Sequence, residues 1–107
     1  MGSTYEKTAV VVICRDGPQG KSVRAAYTPE HLAYIETVMD ELNVAGPLYD
    51  SAGEGPVGSF YCLHTGSLQR ARQIMENDPY VKYGAFASIE YFPHLPAAGR
   101  YIGGKIW

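Results

Sequence analysis

At 107 residues the chain can build one two-layer domain and little more, so one site per chain is the expectation. Hydrophobic residues are 46% and charged residues 19%, and the formal charge of −2 comes with no Lys/Arg run, which argues against a nucleic-acid partner and gives a membrane-surface role little better support. Nine tyrosines in so short a chain are unusual, and aromatic surface is often used to bind a ligand.

The first predicted strand covers residues 7–15. Its centre, residues 9–14, is apolar at consecutive positions, so both of its faces must be covered. That run is too short for a secretory leader and no small-residue cleavage site follows it, so a cytoplasmic location is expected. No stretch is long enough for a transmembrane helix. Asp16-Gly17-Pro18-Gln19-Gly20 reads as a turn-rich loop, and it lacks the Gly-Lys-Ser/Thr ending of a phosphate loop. A short helical turn carrying Arg24 is expected over residues 22–27. The main helix is predicted to begin at Thr28 as N-cap, with Pro29 in the first position and Glu30 complementing the dipole, and to run to about Leu42. Its apolar stripe would be Leu32, Ile35, Val38, Met39 and Leu42, and His31 falls inside that arc, roughly 35° from its centre. His31 should therefore face the sheet, where desolvation and the helix N–H groups favour a neutral imidazole unless a carboxylate offsets them.

A second strand over residues 43–49 is interrupted by Gly46-Pro47, which makes it an edge strand or one with a bent end. Residues 50–56 form a loop, the likeliest mobile segment. The third strand, residues 57–65, is again apolar on both faces. Ser67 caps a second helix with Leu68, Ala71, Ile74 and Met75 inward, ending at Asn77-Asp78-Pro79. The fourth strand is residues 85–92. Cys14 and Cys62 both fall in strands and read as two buried thiols, not as a disulfide or a metal pair.

The order β-α-β-β-α-β predicts an α+β, ferredoxin-like split βαβ fold: an antiparallel sheet with two helices on one face. The whole chain, 1–107, reads as one domain, with its core at about 7–93 and a tail at 94–107. Two helices cover only one side of a sheet whose central strands are apolar on both, so a homodimer with facing sheets is expected, its interface formed by Val10, Val12 and Cys14 or their alternates. The tail carries Tyr101, Ile106 and Trp107 without a core of its own. It is expected to cross the dimer and wall the partner's cleft or extend its sheet.

In this order, Arg24, Glu30-His31-Leu32, Ala45-Gly46-Pro47-Leu48, Gly58-Ser59 and Asp78-Pro79-Tyr80 with Gly84 resemble the YCII-related family over nearly the whole domain. Each piece is weak alone; together they are specific. The resemblance implies a dimeric α+β barrel whose active site is a His-Asp pair, here His31 and Asp78. It also implies a small-molecule substrate and no cofactor. The tail beyond Pro93 is longer than in the shortest members, so its role does not carry over.

Each candidate has a plain alternative. On sequence alone His31 reads first as a core histidine satisfied by backbone and one side chain; the resemblance reverses that preference. Asp78 can be a residue bonding local N–H groups before a proline turn, although a carboxylate at a helix C-terminus is electrostatically unfavoured and calls for a cationic partner. Arg24 is either a solvated loop charge or the anchor for an anionic or phenolate-bearing ligand. Gly46-Pro47 and Gly58-Ser59 read first as backbone devices, with Pro47 and Ser59 as substrate contacts on the functional reading; Ser59 has no nucleophile elbow around it. Tyr80 is core or a pocket wall. His64 and His94 look ordinary, and no metal-ligand spacing is present.

The leading expectation is a cofactor-independent lyase or isomerase in which His31, oriented by Asp78, shuttles a proton on a small cyclic or aromatic substrate. Dehydrochlorination of a chlorinated hydroxyquinol is an activity the resemblance implies, and activity should then rise with pH through ionisation of His31. The alternatives are a non-catalytic module that holds a metabolite in the same cleft, and an accessory subunit.

Overall fold

The structure, a computed structural model, describes residues 7–106. β1 (Ala9–Asp16) is followed by α1 (Gly20–Thr37), a 3₁₀ turn (Met39–Glu41), β2 (Leu42–Tyr49), β3 (Pro56–Leu63), α2 (Leu68–Glu76), α3 (Pro79–Lys82) and β4 (Phe86–His94). The four strands form one antiparallel sheet in the order β2-β3-β1-β4, so the two strands with unbroken apolar runs are central and Gly46-Pro47 lies on an edge. This is the expected α+β, ferredoxin-like arrangement.

Strand alternation divides the central residues between two faces. Val10, Val12, Cys14, Tyr61 and Leu63 are buried against Val38, Ala71, Ile74 and Met75 of the helical layer. Their alternates Val11, Ile13, Phe60 and Cys62 lie on the other face, where β1 pairs Val11 with Cys62 and Ile13 with Phe60. That face is only partly covered, with Val44 43% and Phe92 48% exposed. Of the two sets expected to form the open face, it is the alternates that do.

The main helix departs from expectation at both ends. It begins at Gly20, absorbing the short turn predicted over 22–27, and stops at Thr37, where Val38 leaves helical geometry. Thr28 and Pro29 are therefore interior. Pro29 cannot bond the Ala25 carbonyl, but Ala25 is exposed, so water can satisfy that oxygen and the helix continues. The Thr28 hydroxyl turns back to the Arg24 carbonyl at 2.5 Å instead of capping. The inward face is accordingly Val23, Arg24, Tyr27, Thr28, His31, Tyr34, Ile35 and Val38, while Leu32 and Met39 of the expected stripe are both 54% exposed.

The second helix is capped by Ser67, whose hydroxyl accepts from Arg70 N, as expected. Asp78, however, is no helix terminus of the unfavoured kind. It is the N-cap of α3, where a carboxylate complements the dipole, and Gly84, at φ 80°, ends that short helix.

Two glycines from the expected backbone devices separate here. A Cβ on Gly58 would run into the Cys14 carbonyl oxygen of β1, so close approach requires glycine; Gly46 has open space around it. Beyond β4 the tail forms a two-residue hairpin, β5 (Ala98–Gly99) with β6 (Gly104–Lys105). It leans over one end of the open face, where Val44, Cys62, His94, Tyr101 and Ile106 line a groove of about 610 Å³. Trp107 lies outside the described residues. Among the described residues no helix is long and apolar enough to cross a membrane.

Candidate active site

On the helical side of the sheet, a cavity of about 820 Å³ opens between α1, the end of β2, the 50–56 loop and β3. Arg24, Thr28 and His31 reach it from one face of α1 at helical spacing. Ser59 and Tyr61 reach it from one face of β3, two residues apart, and Tyr80 reaches it from the start of α3, with Asp78 buried behind His31 and Tyr61.

Asp78 is the most constrained of these groups. It is 1% exposed, and its carboxylate accepts three hydrogen bonds. Oδ1 takes the Tyr80 backbone N–H at 2.9 Å and His31 Nδ1 at 2.7 Å; Oδ2 takes the Tyr61 hydroxyl at 2.8 Å. Burial, and then the negative charge of Asp78, push the Tyr61 phenol well above its ordinary ionisation range, so Tyr61 stays a donor. With both other partners donating to an acceptor-only carboxylate, the network places a proton on His31 Nδ1, and in the neutral ring the lone pair then sits on Nε2. His31 lines the cavity, and its ring stacks on Tyr80 at 3.8 Å and 8°. Tyr80 is braced in turn by an edge contact from Phe86 at 6.3 Å.

A second group stands beside this pair. Arg24 donates Nε and Nη2 to the two oxygens of Asp16, both at 2.9 Å, and Nη2 also reaches the Gly58 carbonyl at 2.9 Å and Ser59 Oγ at 3.0 Å. The fork is largely buried, with side-chain exposures of 12% for Arg24 and 13% for Asp16. The hydrogen bond it donates to Asp16 holds the guanidinium charged beyond its usual range. The Arg24 guanidinium carbon also lies 5.1 Å from the Tyr80 ring centroid. Arg24 is thus neither a solvated loop charge nor a free cation.

Of the residues singled out in the sequence, His31 and Asp78 are in contact, and Arg24, Ser59 and Tyr80 line the same cavity. Pro47 forms its wall on β2, opposite Ser59 in the strand register. His64 and His94 lie apart from it, at the groove beneath the tail. Three residues of the site were missed. Tyr61 carried a signal, since it shares the Ser59 face of its strand; Thr28 was read as a cap and Asp16 as part of a turn. Among the described residues no cluster of three or more His, Cys, Asp or Glu could hold a metal ion.

No match was found among curated proteins. Among solved structures, the chain is similar to 5-chloro-2-hydroxyhydroquinone dehydrochlorinase (TftG) from Burkholderia phenoliruptrix AC1100, in complex with 2,5-dihydroxybenzoquinone. The identity is 26%, the match covers 87% of this chain and 97% of that one, and the TM-score is 0.72. A second similar structure, from Chloroflexus aurantiacus J-10-fl, carries the provisional name antibiotic biosynthesis monooxygenase, with 13% identity, coverage of 85% and 93%, and a TM-score of 0.43. A model of the YCII-related domain matches residues 8–94, most of the chain and every strand of its sheet, and the protein belongs to the YCII-related family.

Proposed function

We propose that this protein is a small enzyme of the lyase or isomerase class that moves a proton on an oxygenated cyclic or aromatic substrate, with His31 as the base and Asp78 as the residue that orients it. The observation that carries the reading is the 2.7 Å contact between His31 Nδ1 and a buried carboxylate, which leaves Nε2 without a partner among the described residues in a ligand-sized cavity. Similarity to a dehydrochlorinase supports a chlorinated hydroxyquinol as the first substrate to try. The chemistry balances with no oxidant. His31 Nε2 removes a hydroxyl proton and returns it to the chlorine-bearing ring carbon, and a second deprotonation expels chloride with the electron pair of the C–Cl bond. One proton and one chloride leave in all.

Arg24, Ser59, Tyr80 and Pro47 are the substrate contacts on this reading. The working unit is a homodimer that buries the open sheet face, where Val11, Ile13, Phe60 and Phe92 otherwise meet water, and the tail, with Tyr101 79% exposed, reaches the partner. The test is chloride release from a chlorinated hydroxyquinol by wild type and by His31→Ala. The variant should keep its fold by circular dichroism and lose turnover. Retained turnover overturns the role of His31, and loss of affinity alone would assign a binding module instead.

A further inference from the structure

The cavity is much larger than the ring that would sit at His31. A single oxygenated ring of about ten heavy atoms, given the roughly 30 Å³ that a water molecule takes in the liquid, fills about 300 Å³. The cavity holds about 820 Å³, so more than half of it is left over.

What lines the remainder differs in kind. Arg24, Thr28, His31, Ser59 and Tyr80 are joined by hydrogen bonds and ring contacts into one polar wall. Toward the sheet edge the walls are Leu32 and Ile35 from α1, Ala45 and Pro47 from β2, and Val57 from the start of β3. Ala45 pairs with Tyr61 and Pro47 with Ser59, and Val57 lies two residues before Ser59, so all three share the sheet face that carries the site. Leu32 follows His31 directly, and Ile35 stands one helical turn beyond it. Pro47 has no N–H, so the edge strand presents no donor at that point. The charged lining residues Lys21, Asp50 and Glu54 stand elsewhere, on the first turn of α1 and on the 50–56 loop.

This trench between α1 and β2 is not filled by its own side chains. Leu32 is 54% and Val57 44% exposed. A lone exposed leucine is ordinary, but apolar side chains on both walls of one cavity, continuous with a polar site, are a surface that an apolar ligand group would cover. Leu32 also belongs to the apolar stripe of α1, and it lines this trench instead of the core.

We infer that the ligand carries an alkyl chain on its ring, that the chain lies in the trench between α1 and the β2 edge, and that Leu32 and Val57 select for it. The inference deepens the proposed function and rests on it for the ring placed at His31.

The test compares 2,5-dihydroxybenzoquinone with its methyl, propyl and hexyl ring derivatives, with binding followed by absorbance and calorimetry. The proteins are wild type, Leu32→Asn, Val57→Thr, the double variant and Leu32→Met, with Met39→Asn as a control at an exposed apolar residue outside the cavity. A methylene entering the trench should tighten binding about two- to fourfold, so hexyl should exceed propyl by about 10- to 60-fold in wild type. Leu32→Asn and Val57→Thr should each reduce that gain, and the double variant should lose most of it, while all three bind the unsubstituted ring as wild type does. Leu32→Met and Met39→Asn should keep the gain. A hexyl chain that adds less than about twofold over propyl overturns the inference. So does a gain that survives in the double variant, a gain that Met39→Asn removes equally, or a wild type that binds no member of the series. Chloride release from a chlorinated hydroxyquinol, measured on the same preparations, separates the two readings. Chain-dependent binding without turnover sustains the trench and sinks the enzyme; turnover with chain-independent binding does the reverse.

Discussion

Asp78 offers the sharpest test of the site, because alanine and asparagine at that position should fail differently. Asp78→Ala removes the acceptor of three donors at once: the Tyr61 hydroxyl, the Tyr80 amide and His31 Nδ1. At 1% exposure no water replaces it without repacking. An unsatisfied buried donor costs about 1–3 kcal/mol, so the sum is roughly 3–9 kcal/mol, comparable with the whole stability of a domain this size. Asp78→Asn keeps more. The Tyr80 amide and His31 share Oδ1, so an asparagine whose carbonyl sits there retains both bonds and the histidine tautomer. Its NH₂ then faces Tyr61, which can turn its hydroxyl to accept. The loss is that of charge assistance, about 1–2 kcal/mol in stability. Turnover should fall on the order of 10²-fold, since no negative charge remains beside the imidazolium that forms as His31 takes its proton. Urea denaturation by circular dichroism reads the first quantity and steady-state kinetics the second. If the alanine variant loses less than about 1 kcal/mol, or the asparagine variant is as unstable as the alanine one, the three-donor account is wrong.

Three further outcomes follow from the same structure. Burial raises the Cys14 thiol from its ordinary 9.0 to about 12, so its favourable contribution is complete below pH 9 and is lost as pH climbs toward 12. Urea stability should decline by about 1.4 kcal/mol per pH unit from this group across that window, and a Cys14→Ala variant with an unaltered alkaline slope would count against it. Gly58→Ala forces β1 and β3 apart at the Cys14 carbonyl and disturbs the Gly58 carbonyl that Arg24 holds; a cost above about 1 kcal/mol is expected, and a smaller one in denaturation would show that the strands can yield there. Sedimentation at micromolar concentration should find a dimer, and Ile13→Asp in the centre of the open face should convert it to monomer; a monomeric wild type would refute the facing-sheet assembly.

Much of the architecture was legible because it is written in local chemistry. The unbroken apolar run of β1 marked a central strand, Ser67 marked a helix start, and Gly46-Pro47 marked an edge. The phase of α1 was legible only in part. His31, Ile35 and Val38 face inward as expected, but so do Arg24 and Thr28, polar groups facing the site, while Leu32 and Met39 of the apolar stripe are exposed, and Thr28-Pro29 imitated a helix start. Asp78 was found as a residue but misread as a helix end, since the four-residue α3 is too short to leave a periodic signal.

What the sequence determined by itself was the order of elements, the two-sided central strands and, through the family resemblance, the identity of His31 and Asp78. Only the tertiary structure decided how they work. The two are 47 residues apart, and nothing local brings them within 2.7 Å. That contact, the Tyr61 proton on the same carboxylate and the fork from Asp16 through Arg24 to Ser59 exist because strand alternation and helix phase aim side chains from different elements into one cavity. Hydrogen-bond direction is a property of that assembled network and of no residue within it.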